Sequence, residues 1–409
     1  MVLRDRLLYK LSLTIELINT VATSTHPFKK TDAILDHFRL ITLDYISKIA
    51  ATDETSQSTL LRLNGTANSW IEELLPDLGF IIRSTNERNP FDILAGFNAL
   101  TRRILTADSE LLLSSEWDHI PFTYPINPLA GRKSSDPRNH FIYVALPPNE
   151  IANFLSMPLA AHEIGHSAWQ LTDGNQRGAI SAKIHLAVEQ FPASKGVRNL
   201  DLHDNVVLRQ AEQDAFRQAE EIFCDFVGQY VFSFSFVDAF EYYLCPGHEV
   251  RHRASYPKVL DRLQYLEKFA LRIRDPAFFS RVRSSFVTQR NEKATFLSSQ
   301  IDTFDCSDYA AKLVLDDLMD LAVKFLRRRV PRPKEKTIVE ISDAFLSHFP
   351  YAGPASIPEI ICAGWKCLKD ANIYAFQDKE AVGYLNELVL KTIESNFQSE
   401  PNDPRHKRT

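Results

Sequence analysis

Glycine is scarce in this chain, with 13 in 409 residues. A protein so short of the residue that makes tight turns is not assembled from many short strands. Long apolar-periodic stretches and 27 phenylalanines point to a mainly α fold instead. Cysteine is sparse as well. Cys224, Cys245, Cys306, Cys362 and Cys367 are odd in number and widely spaced, which excludes a disulfide framework and a Cys-x-x-Cys metal site. A basic surplus is missing: the net charge is −5, so no nucleic acid is expected as a partner. The basic run 327–334 carries two prolines and reads as a solvated linker between helices. Missing too is any apolar run of the roughly 18–20 residues that a membrane span needs. The closest approach, 230–245, is broken by Asp238 and Glu241. Charges at Arg4, Asp5, Arg6, Lys10 and Glu16 interrupt whatever apolar core a signal peptide would place at the start. The expectation is a cytoplasmic protein with no membrane span.

What is present is helical periodicity. Leu3, Leu7, Leu11, Ile15 and Ile18 recur at 3–4 spacing and predict a helix over 2–22. Similar patterns predict helices near 31–49, 58–75, 90–104, 205–232 and 237–244. Further ones fall near 257–274, 276–294, 306–329, 337–349, 356–373 and 379–396. The Pro- and Ser-bearing stretch from Ile120 to His140 marks an irregular connection, and 171–203 reads as loop with a short helix near 179–190. Phe141–Leu146 is the clearest strand, stopped by Pro147 and Pro148. A strand shortly before a peptidase helix is the kind of edge to which an extended substrate adds; a short buried strand carries equal weight. Residues 398–409 read as a disordered tail.

The chemistry sits in Met157–Gln170. His162, Glu163 and His166 make the pattern His-Glu-x-x-His, and on a helix positions i and i+4 share a face, so both imidazoles can reach one metal ion with Glu163 beside it. A chain of this composition carries that pattern by chance about a couple of per cent of the time, so its setting matters. Leu159, Ala160, Ile164, Ala168 and Trp169 make the remaining faces apolar, as in a core helix. A hydrolytic zinc site takes three protein ligands and leaves one position for water. Glu221 and Asp225 lie one turn apart on the helix predicted over 205–232, among Ile222, Phe223, Phe226 and Val227. Glu221 can supply a third ligand, and Asp225, one turn on, can accept the free ring N–H of a ligating histidine. Glu220 competes as ligand but lacks an acid at i+4, where Cys224 stands.

His162-Glu163-Ile-Gly-His166 followed by Glu221-x-x-x-Asp225 resembles the gluzincin type of zinc metallopeptidase, the group that includes thermolysin and the HtpX/CAAX-protease-like enzymes. Ser255-Tyr256-Pro257, with Arg262 five residues on, is similar to the Ser-His-Pro-Pro-x-x-x-Arg element of the HtpX-like members. Tyr256 stands where those have His, and Lys258 where a second Pro is usual. The resemblance covers about 110 residues, Leu155–Leu266. It implies zinc held by His162, His166 and Glu221, with Glu163 as general base and Asp225 behind a ligating histidine, His162 in preference. Tyr256, or else His252 or His248, would donate to the oxyanion, with Arg262 pairing with a site carboxylate or binding substrate. His203 and His185 are weaker alternatives. The implied architecture is a zincin-like core with a small β element over 121–275. It lies between helical regions at 1–120 and 276–397, with the tail after them.

The function expected on this basis is hydrolysis of peptide bonds in a peptide or protein substrate. A second expectation is a zinc-binding helical scaffold that is catalytically silent, or latent until a regulatory protein partner engages the helical flanks.

Overall fold

The structure is a computed structural model that describes residues 3–24, 31–53, 56–84, 91–115, 122–124, 141–146, 152–197, 202–243, 254–275, 277–278, 302–369 and 379–397. The expected helix over 279–294, most of the connection 120–140, the tail, Cys245, His248 and His252 lie outside the described residues. The chain divides into two compact units, Met1–Leu94 with Asp108–Pro148, and Ala95–Ala107 with Asn149–Thr409. The stretch 121–148, expected at the head of the metallopeptidase core, counts with the first unit; the helices of 302–397 count with the second. Among the described residues no helix is long and apolar enough to cross a membrane.

In the first unit, α1 (Leu3–Ala22), α2 (Thr31–Ala50) and α3 (Gln57–Ser84) share a core of Leu7, Leu11, Ile49, Leu60, Ala67 and Ile71. The Trp70 indole N–H donates to Thr42 Oγ1 at 3.0 Å, so the one polar atom of that ring is satisfied inside the core. The apolar pattern predicts this helix over about 58–75. The helix runs through Pro76 to Ser84 all the same. An interior proline costs about 3 kcal/mol, but Leu78 and Ile81 beyond it are fully buried, each contributing about 1.5–3 kcal/mol. β1 (Glu110–Ser115), β2 (Phe122–Tyr124) and β3 (Phe141–Leu146) form a sheet in the order β1-β3-β2. β3 is parallel to β1 along its length and antiparallel to β2 over Tyr143–Ala145. The expected strand therefore lies in the middle of its sheet, with partners on both sides, and presents no free edge to a substrate over Tyr143–Ala145. It is the short buried strand.

The second unit contains α4 from Ala95 onward (Phe91–Ile104 in full), α5 (Leu159–Leu171), α6 (Gly174–Ser194), α7 (Leu202–Phe232) and α8 (Phe234–Tyr243). α9 (Val259–Ile273), α10 (Thr303–Leu313), α11 (Leu315–Leu326), α12 (Glu335–Leu346), α13 (Ile357–Lys369) and α14 (Lys379–Phe397) complete it. α6 is longer than its sequence pattern suggests, because the Asp173 side chain caps it by accepting from the Asn175 N–H at 3.0 Å. The single helix expected over 306–329 is two, broken at Val314. Asp316 and Asp317 fall in the first turn of α11, where carboxylates suit the positive end of a helix. α7 is the central helix of this unit. It packs against α5, α6, α8, α9, α10, α11 and α13, and its second half is buried almost all round, with Phe226 stacked on Phe269 at 4.4 Å and Phe223 against Trp169 at 5.3 Å.

The basic run is not wholly a solvated linker. Arg327 and Arg328 are exposed, but Arg329 donates to the carbonyls of Ile104 and Leu105 at the end of α4. Arg332 donates to the Ile273 carbonyl at 2.8 Å and pairs with buried Asp275 at 2.9 Å. Cations at helix C-termini satisfy carbonyls that have no partner within the helix. Asp275 also accepts from the Ser233 hydroxyl at 2.6 Å. Ser233 holds a left-handed backbone, φ 52, which separates α7 from α8 and costs a non-glycine residue about 1 kcal/mol. Removing Arg332 leaves the Asp275 carboxylate buried with a hydroxyl as its remaining side-chain partner. The expected effect of Arg332→Ala is a loss of about 2–3 kcal/mol in urea-induced unfolding. Arg328→Ala, at an exposed position, is expected to stay within about 0.5 kcal/mol.

Candidate metal centre

The centre lies where α5 crosses α7. The chain leading into α5 is held by α14: the Phe154 N–H donates to Asn386 Oδ1, and Asn386 Nδ2–H donates to the Ala152 carbonyl, both at 3.0 Å. α5 then presents His162 and His166 from one face towards α7. Gly165 allows the two helices to meet. A Cβ there would lie 2.8 Å from the Cys224 Cα, which real packing does not tolerate, so any larger residue would push α7 away from the histidines.

Each imidazole faces two carboxylates. His162 Nδ1 lies 2.9 Å from Asp225 Oδ1, and its Nε2 lies 3.3 Å from Glu221 Oε2. His166 Nδ1 lies 3.0 Å from Glu220 Oε1, and its Nε2 lies 3.7 Å from Glu221 Oε1. Asp225 in turn accepts two hydrogen bonds from Arg262 of α9, from Nε and Nη2, each 2.7 Å. Burial alone would raise the Asp225 pKa, but the Arg262 charge and hydrogen bonds hold it below the usual carboxylate range. An ionised carboxylate only accepts, so His162 Nδ1 carries the proton and Nε2 is the atom turned towards Glu221. The ring of His162 is stacked on Phe236 of α8, centroids 6.5 Å apart. That contact and the bond to Asp225 fix its plane.

The electrostatics prepare these groups for a cation. Burial pushes His162 down, but the hydrogen bonds to Asp225 and Glu221 outweigh it and raise the pKa to about 10. His166 is raised in the same way: burial opposes, and the Glu220 hydrogen bond and the Glu221 charge prevail. Glu221 is lowered, since the His162 hydrogen bond and the two imidazole charges overcome its burial. The carboxylates thus favour the protonated form of both rings, and a bound cation would take the place of those protons. The group can hold a metal ion: His162, His166 and Cys224 bring one ligand atom each within 4.8 Å of one another. Burial and the charges of Glu220, Glu221, Glu163 and Asp225 raise the Cys224 thiol well above its ordinary value, so it is the reluctant donor and ionised Glu221 the ready one.

No protein-family model, curated protein or solved structure matches this chain. The chemistry of the centre is therefore read from its own geometry.

Of the residues singled out in the sequence, His162, His166, Glu221, Asp225 and Arg262 converge directly. Glu163 is buried at 7% exposure, and its charge acts on His166 and Cys224. Tyr256 is exposed, on the wall of an open pocket of about 270 Å³ that it shares with His166, Arg217, Glu220, Glu221 and Ser255. Its segment is held in place by Gln218, whose Nε2–H donates to the Ala254 carbonyl at 2.7 Å and to Asp308 Oδ1 at 2.8 Å. Arg262 is committed to Asp225 and lies over the Phe240 ring, 4.5 Å from its centroid, which is the site-carboxylate role and not the substrate-binding one. His252 and His248 lie outside the described residues. His185 is on exposed α6 surface with Glu189 and Glu212, 3.3 and 3.2 Å away.

Three features escaped the sequence reading. Glu220 is the partner of His166, not a rival ligand; the Glu220-Glu221 doublet was the available signal, since adjacent residues on a helix straddle a seam facing two side chains. Arg217 borders the pocket, one turn before Glu221. Gly165 is the helix-crossing residue inside the motif. Gly165→Ala is expected to lower stability by about 1–3 kcal/mol and to weaken metal binding, read by urea unfolding and metal titration. Gly178→Ala, where a Cβ meets nothing within 4 Å, is expected to stabilise by about 0.5–1 kcal/mol.

Proposed function

We propose that the chain is a zinc-dependent peptidase of the gluzincin type, with His162, His166 and Glu221 holding the metal. The observation that carries the proposal is the convergence of both Nε2 atoms on one carboxylate, 3.3 and 3.7 Å away. Four ligands at the usual zinc distances of about 2.0–2.1 Å in a tetrahedron lie about 3.3–3.4 Å from one another, so Glu221 already stands from each Nε2 at nearly the spacing that ligands of one ion keep. Each histidine also has a carboxylate on its Nδ1, the arrangement that fixes the tautomer and raises the basicity of a ligating imidazole. The donor set of two imidazoles and a carboxylate fits zinc, and because His166 and Glu221 line an open pocket, a fourth position is left on that side.

Zinc, when bound, supplies the positive charge that brings the ionisation of water towards neutral pH. The chain's own residues do the rest. Asp225, anchored by Arg262, and Glu220 accept the Nδ1–H bonds of His162 and His166 and keep the Nε2 lone pairs pointed inward. Glu163, adjacent to the first ligand, takes a proton from the attacking water on a carboxylate oxygen. It then passes that proton to the amine nitrogen as the peptide C–N bond breaks. The Tyr256 hydroxyl, on the pocket wall, donates to the carbonyl oxygen as negative charge builds on it.

A second reading, a zinc-binding scaffold without turnover, has one observation in its favour: Glu163 is not among the residues that line the pocket. Purified protein loaded with zinc and incubated with a peptide library separates the two. Peptidase activity is expected in the wild type, with a loss of about a thousandfold or more in Glu163→Gln at unchanged zinc content. Stoichiometric zinc with no cleavage product in either protein would leave the scaffold. A preparation that binds no zinc, and is unaffected by His162→Ala, would remove both.

A further inference from the structure

Resting on the peptidase reading, we propose that the pocket selects peptides with a carboxylate beside the scissile bond, and that Arg217 recognises it. The walls carry His166, Arg217, Glu220, Glu221, Ser255 and Tyr256. None is aliphatic, so a large apolar side chain would cover mainly polar groups and gain little apolar contact. The two acids are already committed. Glu220 lies 3.0 Å from His166 Nδ1, and Glu221 faces both Nε2 atoms. Arg217 is different: it is exposed, and among the described residues no carboxylate forms an ion pair with it.

Its position follows from the helix. Residues 217 and 221 are one turn apart on α7, so the guanidinium and the ligand carboxylate occupy the same face at neighbouring levels. A guanidinium receives a carboxylate through two parallel N–H···O bonds, a geometry that an amide or an alcohol does not match. The hydroxyl of Ser255 stands on the same wall as a further donor. A substrate carboxylate thus meets one unpaired cation and a neutral donor, whereas a lysine side chain meets Arg217 as a like charge. The carboxylate can come from an Asp or Glu side chain or from the free end of a peptide; the recognition is the same.

The test uses the zinc-loaded full chain and end-blocked, internally quenched peptide pools that differ in one fixed residue: Glu, Gln or Lys. A fourth pool has Gln fixed and a free C-terminal carboxylate. Cleavage is measured for wild type and Arg217→Glu. Binding is measured by fluorescence anisotropy on the Glu163→Gln background, with and without Arg217→Glu. Zinc content and melting temperature check that the variants are folded. Wild type is expected to prefer the Glu pool over the Gln pool by about tenfold or more, and Arg217→Glu to move the preference to Lys. Preference for the fourth pool instead identifies the chain end as the source. Equal handling of Glu, Gln and free-carboxylate pools by wild type, or an unchanged ranking in Arg217→Glu, overturns the inference while leaving the peptidase reading intact. If wild type cleaves none of the pools, the peptidase reading falls. The anisotropy ranking then decides the role of Arg217 by itself, and peptides that bind without preference, or not at all, overturn it.

Discussion

Buried charge at the crossing of α5 and α7 is the constraint to which the rest of the second unit answers. Removing a carboxylate or an imidazolium from water costs several kcal/mol per ion unless an opposite charge and hydrogen bonds replace the solvent. Here the replacement is mutual. Asp225 lies between Arg262 and His162, Glu221 between the two histidines, and Glu220 against His166. Truncating any one of them strands a neighbour. A divalent ion fits this balance, because its positive charge replaces the protons that the carboxylates favour on the imidazoles.

The surrounding helices hold that crossing in place. α7 carries Glu220, Glu221 and Asp225 in a stretch packed on nearly every side, so the acids have little freedom to turn towards water. Phe236 and Phe240 of α8 lie against His162 and Arg262. α9 supplies Arg262, and Asn386 of α14 fixes the chain leading into α5. The helices after residue 302 are consequently part of the body that supports the centre. Arg329 and Arg332 contribute by closing the ends of α4 and α9, so part of the run of arginines between two helices is committed to helix ends while Arg327 and Arg328 stay exposed.

Much of this was legible in the sequence because its signals are local. The i, i+4 spacing of His162 and His166, and of Glu221 and Asp225, follows from one helix at a time, and the apolar residues around each pair mark them as facing inward. What was hidden depends on a second element. Glu220 has no partner on its own helix that would mark it, and its role is set by the rotation of α7 against α5. Gly165 matters through Cys224, 59 positions away in sequence, and the Arg332–Asp275 pair joins segments that no local pattern connects. β1, a short apolar run, has no period that distinguishes it from a helix segment. The end of α3 differs for the opposite reason: Pro76 is a strong local signal for a helix end, and burial of Leu78 and Ile81 further along outweighs it.

The claim at the centre is that Glu221, and not Cys224, completes the ligand set. X-ray absorption at the zinc edge of the zinc-loaded protein tests it directly. The account expects a first shell of nitrogen and oxygen alone, at about 2.0–2.1 Å with the outer-shell pattern of two imidazoles; a sulfur at about 2.3 Å would contradict it.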